Sequence, residues 1–308
     1  MSRLGVVANG RSWKNRETAL AKPEIGDALH EAARSPDDYP ALLRRFAEEG
    51  VTVVAVDGGD GTLRDVMSVL PWAFGDALPA VAIVASGKTN VAAADVGCVA
   101  RAALPALAEA ARAGAALKHE TRRPILVEVG DARMLGFVFG LGAFERATRL
   151  VNERVHTKGV AQKLGVAMGV VMSGAAALGK DRELWRSGVP LALSIDGAEP
   201  EMRHSFALLA TSLNRLMLGL WPFWGKGEGG FNVTEVAAPP RRLIRTLATA
   251  GIGRPPSWAA DYGYKSAKAD RVSLTLREPF IFDGDTFAAG PDGRVELTAG
   301  PAIRFVRL

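Results

Sequence analysis

Three short apolar runs in the first third of the chain each end in a turn of small polar residues. Arg3 to Ala8 (RLGVVA) runs into NGRSWKN, Val51 to Val56 (VTVVAV) into DGGDGT, and Ala80 to Ala85 (AVAIVA) into SGKTN. Continuous apolar runs of this length, rich in valine and bounded by glycine, read as buried strands. Helical spacing lies between them. A helix is predicted from about Glu24 to Arg34. A second opens at Asp37, Asp38 and Pro40, with Leu42, Leu43, Phe46 and Ala47 on one face. Thr62 is placed to cap a third, through Leu63, Val66, Met67 and Leu70, and Ala100 to Ala113 reads as a fourth. Strands alternating with helices make βαβ units and a parallel sheet, whose ligands bind beyond the carboxyl ends of the strands. Three successive strand ends carrying glycine and hydroxyl or amide side chains therefore predict a binding site there.

The pattern changes after about Arg122. Ile125 to Val129, Leu135 to Leu141, Leu191 to Ile195, Phe206 to Ser212, Val272 to Leu276 and Ala302 to Val306 read as strands separated by turns such as DGAEP and GPDGR. This half is predicted to be antiparallel and β-rich, with one helical insert from about Lys158 to Leu178. At 308 residues the chain is long enough for two domains. The boundaries drawn are 1–122 for an α/β nucleotide-binding domain with a parallel sheet and 123–308 for a β-rich antiparallel sandwich, the last strand being free to return to the first domain.

Composition narrows the setting. Hydrophobic residues at 48% and charged residues at 23% exclude a disordered chain. A single cysteine, Cys98, excludes an internal disulfide and a cysteine-based zinc site; it reads as a buried small residue. Leu164 to Gly179 is the longest uncharged stretch of membrane character, but its 16 residues include five glycines or serines, short of a spanning helix. A soluble cytoplasmic protein is the expectation. The net charge of +5 suits phosphate-rich ligands or an anionic surface. No basic stripe with interleaved aromatics points to nucleic acid.

The turn Asp57–Thr62 has the character of a phosphate cradle. Glycines admit a bulky anion close to the backbone, and the following helix adds the positive end of its dipole. Asp60 is out of place beside phosphate unless a cation lies between, which points to magnesium. The alternative is a tight strand-to-helix turn in which the aspartate caps the helix. Gly87, Lys88 and Thr89 look like the end of a Walker A loop, but the glycine required five positions before Gly87 is Ala82, so that reading fails. A second phosphate- or nucleoside-contacting turn remains, with Asn90 as a hydrogen-bonding partner.

Together these motifs resemble the diacylglycerol kinase catalytic family, which includes bacterial lipid kinases, sphingosine kinases and ceramide kinases and is distantly related to NAD kinases. Gly58, Gly59, Asp60, Gly61 and Thr62 match its nucleotide signature without a change. Asn9, Gly10, Arg11 and Ser12 look like its first phosphate-side loop, and Gly87 to Asn90 its Gly-Thr-x-Asn-type turn. Gly136 to Glu145 resembles the family's entry to the second domain. Asn214 and Gly219 resemble an Asn followed by a glycine cluster, and Pro222 to Val233 tracks a Pro…Asp-Asp-Gly…Asp-Val stretch. Phe282 to Asp285 (FDGD) resembles the family's Asp-Gly-Glu motif. The sequence departs from the pattern at Lys88, at Val91, at Gly227-Glu228-Gly229 and at Asp285, which stands for the usual glutamate.

The resemblance implies an ATP-dependent lipid kinase acting on diacylglycerol or on a ceramide or sphingoid lipid. It implies ATP and Mg²⁺, a membrane lipid as substrate, transient contact with the membrane surface, and leaves room for a homodimer. It makes Asp283 the base, puts Asp60 on the magnesium–ATP side, and gives Asp285 either metal or the orientation of the base; the roles of Asp60 and Asp283 are exchangeable. On local grounds alone Asp283-Gly284 reads as a hairpin turn, and Asp292-Gly293 as nothing more than one. The aromatic run Trp221, Phe223 and Trp224, with Arg241, Arg242 and Arg245 nearby, suits a membrane interface, core packing being the alternative. A soluble NAD or sugar kinase relative and a non-catalytic nucleotide- or lipid-binding regulator are the competing readings.

Overall fold

The computed structural model describes residues 3–10, 12, 25–26, 28–87, 90–155, 182–216 and 220–307. Arg11, Lys88, Thr89, Gly219, the Leu164–Gly179 stretch and the predicted Lys158–Leu178 insert lie outside the described residues. The chain divides into two compact units, 1–124 with 301–308, and 125–300.

The first unit is built on a six-stranded sheet. Its strands are β1 (Arg3–Asn9), β2 (Leu29–Ala33), β3 (Val51–Gly58), β4 (Ala80–Ala85), β5 (His119–Arg122) and the last strand of the chain, β17 (Ile303–Val306). The order is β2-β1-β3-β4-β17-β5, parallel except for the β17–β5 pair. The Val51–Val56 run is buried on both faces but for Thr52, which is why it reads as unbroken valine and alanine rather than as an alternation. Helices α1 (Tyr39–Glu48), α2 (Asp60–Phe74), α3 (Val91–Val96) and α4 (Leu104–Arg112) join the strands. Helix α4 lays Leu104, Leu107 and Ala111 on the core formed by Leu4, Val6, Val53 and Ala82. Phe46 of α1 is fully buried over Gly5, where a Cβ would come within 2.5 Å of its ring.

Three expectations are corrected here. The Glu24–Arg34 helix is not formed: Leu29–Ala33 is strand β2, in register from Gly5↔Leu29 to Asn9↔Ala33. The five backbone partners offered by β1 override the local helical preference of LHEAA, as tertiary pairing commonly does. Helix α2 starts earlier than Thr62, with Gly59 as its N-cap, so Thr62 lies in the first turn. Cys98, read as buried, is exposed.

The second unit is antiparallel. Strands β6 (Ile125–Val129), β7 (Ala132–Gly136), β8 (Val138–Gly142), β9 (Val189–Ile195), β10 (Glu201–Thr211), β11 (Phe231–Ala237), β12 (Tyr264–Ala269), β13 (Arg271–Leu276), β14 (Phe280–Phe282), β15 (Asp285–Phe287) and β16 (Arg294–Ala299) form one sheet. Its path is β15-β14-β8-β10-β9-β13-β16-β6-β7, with β11 and β12 branching from β10. Strand β10 is long enough to serve two neighbourhoods. Glu201–Ser205 pair with β9, and Ala207–Thr211 with both β8 and β11. A bulge between Ser205 and Ala207 shifts the register, so Leu208 and Ala210 join the main core while Phe206 packs with Ala143, Ala147, Trp185 and Leu243. Helices α5 (Ala143–Val155), α6 (Arg182–Arg186) and α7 (Leu243–Ala250) complete the described part.

Candidate functional site

The three predicted turns come together at the carboxyl ends of β1, β3 and β4. Asn9 closes β1, and its Nδ2 donates to Thr62 Oγ1 at 2.7 Å. Ser12 folds back on the same residue, its backbone amide and its hydroxyl both donating to the Asn9 carbonyl. The β3 and β4 turns are joined through Gly58, whose carbonyl accepts from the Ser86 and Gly87 amides at 3.0 and 3.2 Å. The glycines are set by contact rather than by backbone sign. A Cβ on Gly87 would strike Gly59 Cα and Asn90 Oδ1, and one on Gly58 would strike Thr62. Asn90 adopts φ 52°, and its amide group closes the second turn by donating to the Gly87 carbonyl and accepting from the Gly87 amide.

Asp60 has a place that the sequence left open. Its two carboxylate oxygens accept from the Val91 and Ala92 amides, at 3.1 and 3.2 Å. It therefore sits in the first turn of α2 while capping α3, and one negative charge faces the positive ends of two helices. This accounts for a carboxylate in a glycine-rich phosphate turn without a cation. Among the described residues no three histidine, cysteine, aspartate or glutamate side chains gather into a metal cluster. A magnesium ion at this turn would rest on one carboxylate, nucleotide phosphates and water, which is a donor set magnesium accepts.

Two groups of residues were missed in the sequence. Asp57 is buried at the end of β3; it accepts from Ser86 Oγ at 2.5 Å and from the Arg101 guanidinium at 2.6 Å. Its signal was a charged residue closing an apolar strand, which requires a partner. Tyr39, 3% exposed at the start of α1, hydrogen-bonds to Thr62. Burial and the nearby Asp65 charge push its pKa up to about 12, against the lowering effect of the Thr62 bond. No sequence spacing connects Tyr39 to the glycine turn.

Asp283 and Asp285 belong to the second unit. Asp283 and Gly284, at φ 48° and 90°, form the two-residue turn between β14 and β15, with Phe282 paired to Asp285. The Asp283 amide donates to the Val138 carbonyl at 2.9 Å. Its carboxylate accepts from the Val138 amide at 2.9 Å and from the Phe137 amide, shared between both oxygens at 3.1 Å. Asp285 is exposed. The local hairpin geometry is thus present, and the carboxylate ties the hairpin to the β7–β8 junction. Asp292-Gly293 is a surface turn closed by the Arg294 amide on Asp292. In the Pro222–Val233 stretch, Trp224 and Gly225 donate their amides to Ser266 Oγ of β12, and Glu228 is exposed.

The second unit also holds a cavity of about 340 Å³ lined by Leu193, Ile195, Val233 and Ala267 together with Glu201, Arg203, Glu235 and Lys265. Glu235 is buried there, bonded to Arg203 at 2.7 Å and to the Ser205 hydroxyl.

Comparison with known proteins bears out the resemblance over the first unit. Residues 3–123 match the diacylglycerol kinase catalytic domain family. "Probable lipid kinase YegS" of Shigella boydii serotype 18 (strain CDC 3083-94 / BS512) is 34% identical over 96 residues, covering 30% of this chain and 32% of that protein. Its counterpart in Escherichia coli O1:K1 / APEC is 31% identical over the same shares. The alignments span about a third of the length of these curated relatives. A crystal structure of a diacylglycerol kinase from Bacillus anthracis str. Sterne superposes with a TM-score of 0.61 at 12% identity, covering 99% of this chain and 97% of that one. The fold of that structure, a parallel α/β domain and an antiparallel β-rich domain, is the fold of this protein.

Proposed function

We propose, from the match of residues 3–123 to the diacylglycerol kinase catalytic domain, that the protein is an ATP-dependent lipid kinase. It transfers the γ-phosphate to a hydroxyl of a membrane lipid of the diacylglycerol or ceramide and sphingoid type. The observation that carries this reading is the convergence of three strand-end turns, with Gly58 and Gly87 packed too closely to admit side chains. Such a surface brings backbone amides up to a polyphosphate.

Phosphoryl transfer asks for positioning and charge neutralisation more than for covalent chemistry. Asn9, Gly10, Arg11 and Ser12, the Gly58–Thr62 turn and the Gly87–Asn90 turn hold the nucleotide. Asp60 would hold magnesium, which when bound supplies neutralisation of the phosphate charge. Asp283 accepts the proton of the lipid hydroxyl; the Phe137 and Val138 amides orient its carboxylate. Asp285 orients the base or contributes to the metal. The protein works at the membrane surface from the cytoplasmic side. Among the described residues no helix is long and apolar enough to cross a membrane.

The test is incubation with labelled ATP, magnesium and detergent-dispersed diacylglycerol, ceramide, sphingosine, monoacylglycerol and, separately, NAD. Label in one lipid supports the reading and names the acceptor; label in NAD alone moves the assignment to the soluble relatives. ATP binding with no transfer favours a regulator without turnover. Asp60→Ala abolishes turnover and weakens magnesium–ATP binding; full activity in that variant would sink the assignment. Asp283→Asn leaves ATP binding intact and lowers turnover by ~10²-fold or more.

A further inference from the structure

Helix α7 has two unlike faces. Leu243 and Thr246 are buried, and Leu243 packs on Ala143, Ala147, Trp185 and Phe206. The opposite face carries Arg241 just before the helix, then Ile244, Arg245 and Thr249, all exposed. Ile252 follows at the turn that ends the helix, where its amide donates to the Thr249 carbonyl. Ile244 is 62% and Ile252 53% exposed, against the near-complete burial of most isoleucines in this protein. Single exposed hydrophobics need no explanation, but two on one short surface, flanked by cations, do. The turn is held rather than free: the Trp221 amide donates to the Gly251 carbonyl at 2.6 Å.

Charge is one-sided here. Between Glu235 and Asp261 the chain has four arginines and no acidic residue. Arg242 is used internally, its guanidinium stacked on Trp258 and Tyr262 at 4.9 and 4.6 Å. Arg241, Arg245 and Arg254 are exposed in the same segment as the two isoleucines. A helix with an outer apolar ridge flanked by arginines has the chemistry of an interfacial helix on anionic lipid.

We propose that the Arg241–Arg254 surface docks this protein on an anionic phospholipid bilayer, with Ile244 and Ile252 entering the headgroup boundary and Arg241, Arg245 and Arg254 meeting phosphates. The docking deepens the lipid-kinase reading, on which its purpose rests, but binding to vesicles does not depend on turnover.

The full chain is sedimented, without ATP, with vesicles of phosphatidylcholine alone and of equal parts phosphatidylcholine and phosphatidylglycerol. Binding to the mixed vesicles, weakened by salt and several-fold stronger than to phosphatidylcholine, is expected. Arg241→Gln and Arg245→Gln each lower the partition coefficient by about fivefold. Ile244→Ser with Ile252→Ser lowers it further, while Met202→Ser, exposed outside the patch, leaves it unchanged. All variants keep their circular dichroism and their transfer to detergent-dispersed lipid. Wild-type protein that binds neither vesicle overturns the proposal, as does binding that survives the combined isoleucine and arginine variant. A patch variant that instead dissolves a dimer in light scattering assigns the face to a second copy and overturns it too. Failure of transfer in the detergent assay, with vesicle binding intact, removes the kinase reading and leaves the docking standing.

Discussion

Asp57 ends a strand of valine and alanine, and its charge survives there because two neighbours share it. Ser86 ties it to the end of β4, and Arg101 brings the cation. The three residues fix the strand ends from which both glycine turns spring. Breaking one side of a buried charge pair leaves the other unsatisfied, and Arg101 is about a third exposed, which softens the loss. Arg101→Ala is expected to destabilise the first unit by about 1.5–3 kcal/mol, read by urea unfolding, with weaker nucleotide binding. Arg101→Lys recovers part of both. Tyr39 makes a different statement about pH. Its folded pKa of about 12 lies above the ordinary tyrosine value of 10.0. The unfolded chain therefore loses this proton first as pH rises. Stability is unaffected below pH 10 and falls between pH 10 and 12, by about 2–3 kcal/mol in all. Tyr39→Phe removes that portion of the alkaline loss, measurable as a shallower decline of urea midpoints over that window than in the wild type.

At the level of elements, the strands that carried continuous apolar runs were legible. Ala80–Ala85 and Ile125–Val129 are formed as read, and Val51–Val56 is extended by two residues. Turn chemistry was legible too, because glycine, asparagine and aspartate mark a strand end by themselves. What escaped was structure made by partners distant in sequence. Strand β2 is a strand because β1 lies beside it. Strands β11, β12 and β16 were not separated from loops, since residues such as YKSAKA acquire their pattern only from the sheet that pairs with them. Leu135–Leu141 was read as one strand and is two, broken at Phe137, whose amide turns to Asp283. Within the site, Asp60 was recognised as anomalous, but the α3 amides that explain it begin 31 residues later. Gly136 gives this junction a direct test. A Cβ there would collide with the Asp283 carboxylate and the Phe282 ring. Gly136→Ala is expected to cost about 1–3 kcal/mol and to lower turnover alongside Asp283→Asn, whereas Gly130→Ala, with open space around it, changes stability without altering turnover.

The chain builds its two compact units from three pieces of sequence. The first contains the beginning and the end of the sequence: β17 lies between β4 and β5, with Ile303 and Phe305 fully buried. Removal of residues 301–308 is expected to unfold that unit and abolish nucleotide binding, while a substantial β-type circular dichroism signal from 125–300 persists; retained ATP affinity in the truncated chain would refute the role given to β17. The same arrangement has a consequence for synthesis. A ribosome releases β4 long before it releases its neighbour, because residues 125–300 must be made in between. Synthesis from the end of β4 at Ala85 to the start of β17 at Ile303, at ~5–20 residues per second, takes roughly 10–45 seconds. During it one edge of β4 has no strand to meet, and a growing chain with an open parallel edge is a target for wrong pairing. The last strand of the second unit, β16, ends at Ala299, four residues before β17 begins at Ile303, so both units receive their last strands almost together and the long wait falls on the edge of β4 alone.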